Sequence, residues 1–324
     1  MKAICVFSGG LDSMLSAQII REQGIEVIGV FFETPFFTPE KAIRSARIID
    51  LPLKIIDITE EHLKVVKNPK YGYGEHMNPC IDCHTLMFKQ AKELMEQEGA
   101  SFVISGEVLG QRPMSQNRKA LRIIAEESGL RGLLLRPLSA KKLPITIPEE
   151  KGWVKRELLF DIHGRSRKPQ MELAKKYGIT DFPSPAGGCL LTEKGFSKRL
   201  KDLIELKKDF DVRDIELLKI GRHFRIDKDT KVIVGRNKKE NQKLKKLLGQ
   251  KDILLEPKDI SGPVVLLTGD SCEKNIQLAL DITATYSDAR AGQQIEIITH
   301  FPSSTCILKG KAHQKIDFHG LLIC

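Results

Sequence analysis

Residues 4–13 read Ile4-Cys5-Val6-Phe7-Ser8-Gly9-Gly10-Leu11-Asp12-Ser13, an apolar strand that runs straight into a Ser-Gly-Gly-x-Asp-Ser turn, with a helical pattern over 14–23 behind it. A strand that turns through glycines into a helix presents backbone N–H groups at a helix N-terminus, where an anionic pyrophosphate is stabilised. Gly9 and Gly10 allow backbone angles closed to other residues and let phosphate oxygens reach the amides. Ser8 and Ser13 add hydroxyl donors, and Asp12 is suited to hold the Mg²⁺ that neutralises phosphates. The bland reading is a Gly-Gly turn capped by Asp or Ser. Six residues in register at the first strand-to-helix turn, where α/β sheets bind nucleotides, favour ATP.

Outward from this turn, strand-like runs recur at 3–7, 26–32, 53–57 and 102–105, separated by helix-period segments such as 39–49 and 85–97. The alternation predicts an α/β fold, a doubly wound parallel sheet with helices on both faces and ligands at the carboxyl ends of its strands. Phe31 and Phe32 end the second run, as either an adenine seat or buried core. A helical stretch over 168–177 stops at Gly178, and turn formers crowd the stretch from Phe182 to Cys189. Beyond a charged helical pattern at 196–208 the texture turns β-rich, with short strands at 223–226, 231–234, 264–267, 296–299 and 306–308. A boundary near 200 to 210 follows, giving a first domain over 1–200 and a smaller α+β domain over 205–324.

The chain of 324 residues, 41% hydrophobic and 29% charged, can bury a full core, and its net charge of +10 favours an anionic partner such as RNA or a membrane surface. No apolar run approaches the roughly eighteen residues that cross a bilayer. The first strand leads into the phosphate loop rather than a secretory signal, so a cytoplasmic protein with reduced cysteines and no membrane partner is expected. Its seven cysteines, odd in number and scattered, are no disulfide framework.

Asn78-Pro79-Cys80-Ile81-Asp82-Cys83-His84 stands in a predicted loop opening the helix at 85–97, where positive backbone ends lower a cysteine pKa. Cys-x-x-Cys there is a redox pair, half a metal site or two reactive thiols. The haem-attachment string Cys-x-x-Cys-His belongs to exported proteins and is set aside. Cys189, on its Gly-Gly loop, is the expected third partner.

The first turn lacks the Gly-Lys-Ser/Thr of a Walker loop and the spacing of a dinucleotide turn. It resembles the PP-loop of the N-type ATP pyrophosphatases, which cleave ATP to AMP and pyrophosphate while adenylating a carbonyl oxygen. Ile104-Ser105-Gly106-Glu107-Val108-Leu109-Gly110-Gln111, with Ser115-Gln116 and Leu135-Arg136-Pro137-Leu138, is similar to the PP-loop domain of the 4-thiouridine synthetase (ThiI) family. Asn78-Pro79 with Cys83 is similar to the segment holding a catalytic cysteine in the tRNA 2-thiouridylase (MnmA) family.

Over residues 1 to about 195 the resemblance implies ATP at residues 8–13, with Gly106 and Gln111 at the nucleotide and substrate edge. It makes Cys189 the catalytic cysteine of the synthetase type and Cys83 that of the thiolase type. Cys80 completes the three-cysteine set of the iron–sulfur tRNA thiolases, which would hold a [4Fe–4S] cluster and leave one iron open to sulfide. The alternatives are a persulfide on one cysteine that another resolves as a disulfide, and zinc on the three thiolates with His76 or His84. Neither the THUMP-type RNA domain nor the rhodanese domain of these families is evident. The sulfur donor is therefore expected to be a cysteine desulfurase, a persulfide carrier or free sulfide.

Lys219-Ile220-Gly221-Arg222-His223-Phe224-Arg225 and the stretch from Lys231 to Asn241 resemble the NFACT-R domain, a module associated with RNA. Arg222, Arg225, Arg236, Lys238 and Lys239, with Lys243, Lys245 and Lys246, concentrate charge around a hairpin and a helix start, which suits phosphate contacts. A solvated lysine face is the competing reading. Together these features predict an ATP-dependent tRNA sulfurtransferase that makes 4-thiouridine, with 2-thiouridine left open by the Asn-Pro-x-x-x-Cys element. The rivals are a PP-loop synthetase adenylating a small molecule, which needs neither Cys189 nor RNA, and an RNA-binding module with a structural nucleotide site.

Overall fold

Strand and helix alternate along the first half as the apolar periodicity requires. The computed structural model describes residues 1–183, 189–207 and 209–323, and the chain divides into two units, Met1–Leu191 and Thr192–Cys324. The first unit runs β1 (Lys2–Val6), α1 (Leu11–Arg21), β2 (Glu26–Glu33), α2 (Glu40–Ile48), β3 (Leu53–Asp57), α3 (Thr59–Lys67), α4 (Cys80–Gln97), β4 (Phe102–Ser105), α5 (Arg118–Glu127), β5 (Leu134–Leu135), α6 (Ile147–Glu150) and α7 (Lys168–Lys176). Its strands form one parallel sheet in the order β3-β2-β1-β4-β5. The order reverses direction between β1 and β4, and the loops leaving their carboxyl ends flank the crevice where such sheets bind ligands.

β1, β2 and β4 are buried on both faces along most of their length, so their sequences are continuously apolar rather than alternating, whereas the edge strand β3 is partly exposed. Ala3, Cys5, Phe7, Phe31, Phe102 and Ile104 pack with α1 in one layer, while Ile4, Val30, Phe32 and Val103 pack with α4 and α5 in the other. Phe31 and Phe32 are thus both core residues, one on each side of the sheet. Phe31 meets the Phe37 ring edge-on at 6.3 Å between centroids.

One boundary differs from expectation in a way that bears on function. The helix expected from residue 85 begins at Cys80, because Pro79 stands at its N-cap and needs no N–H there. Cys80 and Cys83 are therefore in the first turn of α4, three residues apart on one helical side, and not in a loop. Of the other cysteines, Cys5 is in the core and Cys272 and Cys306 are exposed. Cys324, Lys208 and residues 184–188 of the turn-rich stretch lie outside the described residues.

The second unit runs α8 (Lys194–Leu206), α9 (Val212–Leu218), β6 (Arg222–Arg225), β7 (Lys231–Val234), α10 (Lys238–Lys246), β8 (Ile253–Pro257), β9 (Val265–Thr268), α11 (Glu273–Thr285), β10 (Gln294–His300) and β11 (Thr305–Lys311). Six strands make an antiparallel sheet in the order β11-β10-β8-β9-β7-β6. The β-rich reading of this region misses α11. Its Ile-Thr-Ala-Thr ending has strand propensity, but burying Ala279, Leu280, Ile282 and Ala284 in the core of this unit overrides that preference. No helix among the described residues is long and apolar enough to cross a membrane.

Candidate nucleotide and thiol site

The glycine turn after β1 is shaped by contacts that exclude side chains. Gly9 has φ +74°, and a Cβ there would lie 2.6 Å from the Ala42 Cα. Its carbonyl accepts a hydrogen bond from Ser45 Oγ at 2.7 Å. Ser13 Oγ donates to the Gly10 carbonyl at 2.7 Å, and the Gly10 N–H donates to Ser8 Oγ at 3.3 Å. Helix α1 starts at Gly10 with no side-chain cap. From the neighbouring strand, Gly106 packs backbone to backbone on the same turn, so that a Cβ on it would lie 2.5 Å from the Ser13 nitrogen.

Asp12 and Gln111 meet, the Gln111 Nε2 donating to Asp12 Oδ2 at 3.0 Å. Burial pushes the Asp12 carboxyl up, against the opposing pull of Gln111, Arg167, Arg112 and Gln170. Its other oxygen, Oδ1, is buried without a hydrogen-bond partner among the described residues. An unpaired carboxylate oxygen beside a bare helix N-terminus fits a hydrated Mg²⁺ on the phosphates of ATP.

The three thiols named from the sequence act on one another. Cys83 is only 7% exposed, and burial, followed by the nearby Cys189, Cys80 and Asp82, raises its thiol pKa well above the ordinary value. This corrects the expectation of a lowered value, because burial and like-charged neighbours outweigh the helix N-terminus. The Cys83 sulfur is in contact with a residue that sequence reasoning missed: His62 Nε2 lies 3.0 Å from Cys83 Sγ. His62 comes from α3 and is fully buried, and its ring stands 5.3 Å from that of Phe36 and 5.4 Å from that of Phe37. Burial lowers its pKa to about 4, so the imidazole is neutral at physiological pH. The segment after Cys189 is tied to the same place, since the Leu190 N–H donates to the Phe36 carbonyl at 3.4 Å.

A buried charged pair links the thiols to the nucleotide loop. Glu107, directly after Gly106, takes Arg136 Nε at 2.8 Å on Oε2 and pairs with His84 Nδ1 at 2.8 Å on Oε1. His84 directly follows Cys83 in α4. Burial resists ionisation of Glu107, but the Arg136 guanidinium and His84 overcome it and hold the carboxyl at about 2. The first turn of α4 is thereby fixed to the carboxyl end of β4, which itself touches the glycine turn.

Among the described residues no group of three or more His, Cys, Asp or Glu side chains is arranged to hold a metal ion. Cys83 Sγ is engaged by His62 and Cys80 Sγ by Asn78 Nδ2 at 3.1 Å, while His84 is held by Glu107. Neither the expected [4Fe–4S] cluster nor zinc through His84 is shown by this arrangement.

In the second unit the basic residues fall into two groups. Arg225 is locked in a bidentate pair with Asp202, at 2.9 and 2.6 Å, and the buried Lys231 lies 3.7 Å from the same carboxylate. Arg236 is paired with Glu240 at 2.6 Å. Arg222, by contrast, lies over the Tyr286 ring at 5.3 Å, and Lys238 and Lys239 are exposed, with no acidic partner among the described residues. Arg222, too, has no acidic partner among the described residues.

Residues 1–146 match the family model described as thiamine biosynthesis protein (ThiI), and residues 221–315 match that of the NFACT protein RNA binding domain. The tRNA-specific 2-thiouridylase MnmA of Listeria monocytogenes is 24% identical over 240 residues, which are 69% of this chain and 61% of that protein. The MnmA of Syntrophomonas wolfei is 35% identical over 115 residues, 33% of each chain. A crystal structure of a 4-thiouridine synthetase–RNA complex with bound ATP aligns at 20% identity and a TM-score of 0.36, covering 67% of this chain and 52% of that one. The chain thus resembles the PP-loop tRNA thiolation enzymes in its first unit and an RNA-binding domain in its second, while spanning about three-fifths of its curated relatives' length.

Proposed function

We propose that the chain is an ATP-dependent tRNA uridine sulfurtransferase with 4-thiouridine as its product. In this reading residues 1–200 are the catalytic domain and 205–324 capture the RNA. The observation that carries it is the chain of contacts from the glycine turn through Gly106, Glu107 and His84 to Cys83, which joins a phosphate cradle to a cluster of thiols. The ThiI match over residues 1–146 supports the 4-thiouridine product.

Residues 8–13 hold ATP, and Asp12 would carry Mg²⁺, which when bound neutralises the departing phosphates. The uridine, turned out of its stack, offers its carbonyl oxygen to the α-phosphorus; an O–P bond forms and pyrophosphate leaves. The outer sulfur of a persulfide on Cys189 bonds to the activated ring carbon and AMP departs. Cys83 then gives up its proton and attacks the inner sulfur; the S–S bond breaks, thiouridine is released and a Cys83–Cys189 disulfide remains for an external dithiol to reduce. A persulfide carrier or a cysteine desulfurase charges the reduced Cys189 by transferring its sulfane sulfur, its own thiol leaving; free sulfide charges it only by attacking the Cys83–Cys189 disulfide, which frees the Cys83 thiol.

Incubation of the full chain with unmodified tRNA, MgATP and a persulfide donor, followed by mass analysis of the nucleosides, tests the reading. Thiolated uridine and pyrophosphate are expected from the wild type, and no thiolated uridine from Cys189→Ala. Pyrophosphate without thiolated uridine, or equal thiolation in the variant, removes the proposal.

The two groups of basic residues lead to a separate expectation. Arg222→Ala weakens tRNA binding and reduces the slope of log affinity against log salt by about one. Arg225→Ala instead lowers the unfolding midpoint, since it leaves Asp202 without its bidentate partner. Salt titrations of tRNA binding on both variants separate these effects.

A further inference from the structure

Buried polar atoms without partners are uncommon in folded proteins, and several of them gather around Asp12. Asp12 Oδ1, Gln111 Oε1, both amide atoms of Gln170 and Arg167 Nε are buried and lack hydrogen-bond partners among the described residues. Gln170 is 0% exposed. The residues come from three separate places: Asp12 from α1, Gln111 from the loop after β4, and Arg167 and Gln170 from the start of α7. Backbone contacts hold the last two segments together, because the Gly164 N–H donates to the Leu109 carbonyl at 2.7 Å. Arg167, Arg112 and Gln170 all lie near enough to Asp12 to favour its charged form.

The chemistry of the unpaired atoms narrows the ligand. A bare anion would meet the Asp12 carboxylate and two amide-type oxygens, all of which repel it. A bare cation would face the guanidinium groups of Arg112 and Arg167. A hydrated divalent cation carrying a polyphosphate satisfies both sets, its waters donating to the three oxygens and its phosphate oxygens accepting from Arg167 and the Gln170 amide. We propose that the start of α7 is a second arm of the nucleotide site, in which Arg167 and Gln170, with Gln111, Arg112 and Asp12, seat magnesium-bound pyrophosphate as it leaves ATP. This rests on the proposed use of ATP and adds to it residues that lie outside the glycine turn.

Gln170 faces the Asp12 carboxyl and favours its charged form, so Gln170→Leu is expected to lower the unfolding midpoint only slightly. The same change is expected to weaken binding of Mg²⁺ with inorganic pyrophosphate about tenfold, and Arg167→Gln to do likewise. Calorimetric titration of the full chain with magnesium pyrophosphate and, separately, with MgATP reads these effects without tRNA or sulfur.

Wild-type affinity for pyrophosphate in both variants, with MgATP still binding, overturns the inference and leaves the sulfurtransferase reading standing. If the wild type binds neither ligand, both fall. Should Gln170→Leu unfold, Arg167→Gln decides alone: a tenfold loss supports the seat, and unchanged affinity overturns it.

Discussion

Cys83→Ser is expected to lower thiouridine formation at least about a thousandfold while changing ATP affinity less than about threefold. In the proposed route the sulfur of Cys83 breaks the persulfide bond, which a serine hydroxyl cannot do, whereas none of the contacts that shape the glycine turn involves this side chain. Cys80→Ser separates this route from a cluster mechanism. A cluster needs all three thiolates, so its loss would match that of Cys83→Ser; the persulfide route expects Cys80→Ser to keep at least about a tenth of the activity. Single-turnover assays with nucleoside mass analysis resolve the difference.

Arg136→Met is expected to destabilise the first unit by about 3–5 kcal/mol, the cost of leaving a buried charge without its partner. Glu107 and Arg136 are 5% and 6% exposed, so solvent cannot replace the lost guanidinium. The double variant Glu107→Gln with Arg136→Met is expected to recover most of the loss, because no charge then remains to be compensated. The chain's one tryptophan, Trp153, packs against the core of this unit, so its fluorescence follows the unfolding.

The same pair sets a pH dependence. The folded-state pKa of Glu107, about 2, lies below the ordinary glutamate value of 4.5. Its stabilising contribution is therefore present in full above pH 4.5 and is lost as pH falls toward 2. In Arg136→Met the Glu107 carboxyl no longer lies as far below its ordinary value, so the loss of stability between pH 4.5 and 2 is expected to shrink, and an unchanged acid profile would count against the pair as the source.

The parallel sheet and its glycine turn were legible because each follows from local pattern: apolar runs of strand length, helical periodicity between them, and glycines where side chains cannot fit. The Cys80–Cys83 spacing was legible for the same reason, although the helix start was misplaced because Pro79 reads as a breaker and acts here as an N-cap residue. His62 left no signal. It sits in the charged stretch Thr59–Lys67, and only tertiary packing against Phe36 and Phe37 turns it inward. Glu107 and Arg136 lay inside motifs recognised by resemblance, but 29 residues separate them, and pairing at that distance depends on β4 and β5 being neighbours. Arg225 shows the converse, since a basic residue in a basic stretch reads as an RNA contact until Asp202 on α8 is seen to hold it.

In the proposed reaction ATP activates the very oxygen that sulfur replaces, and isotope transfer decides whether it does. With tRNA carrying ¹⁸O at the base carbonyl of the target uridine, one ¹⁸O atom is expected in the phosphate of AMP for each thiouridine formed. AMP free of label, at a stoichiometric yield of thiouridine, would contradict it.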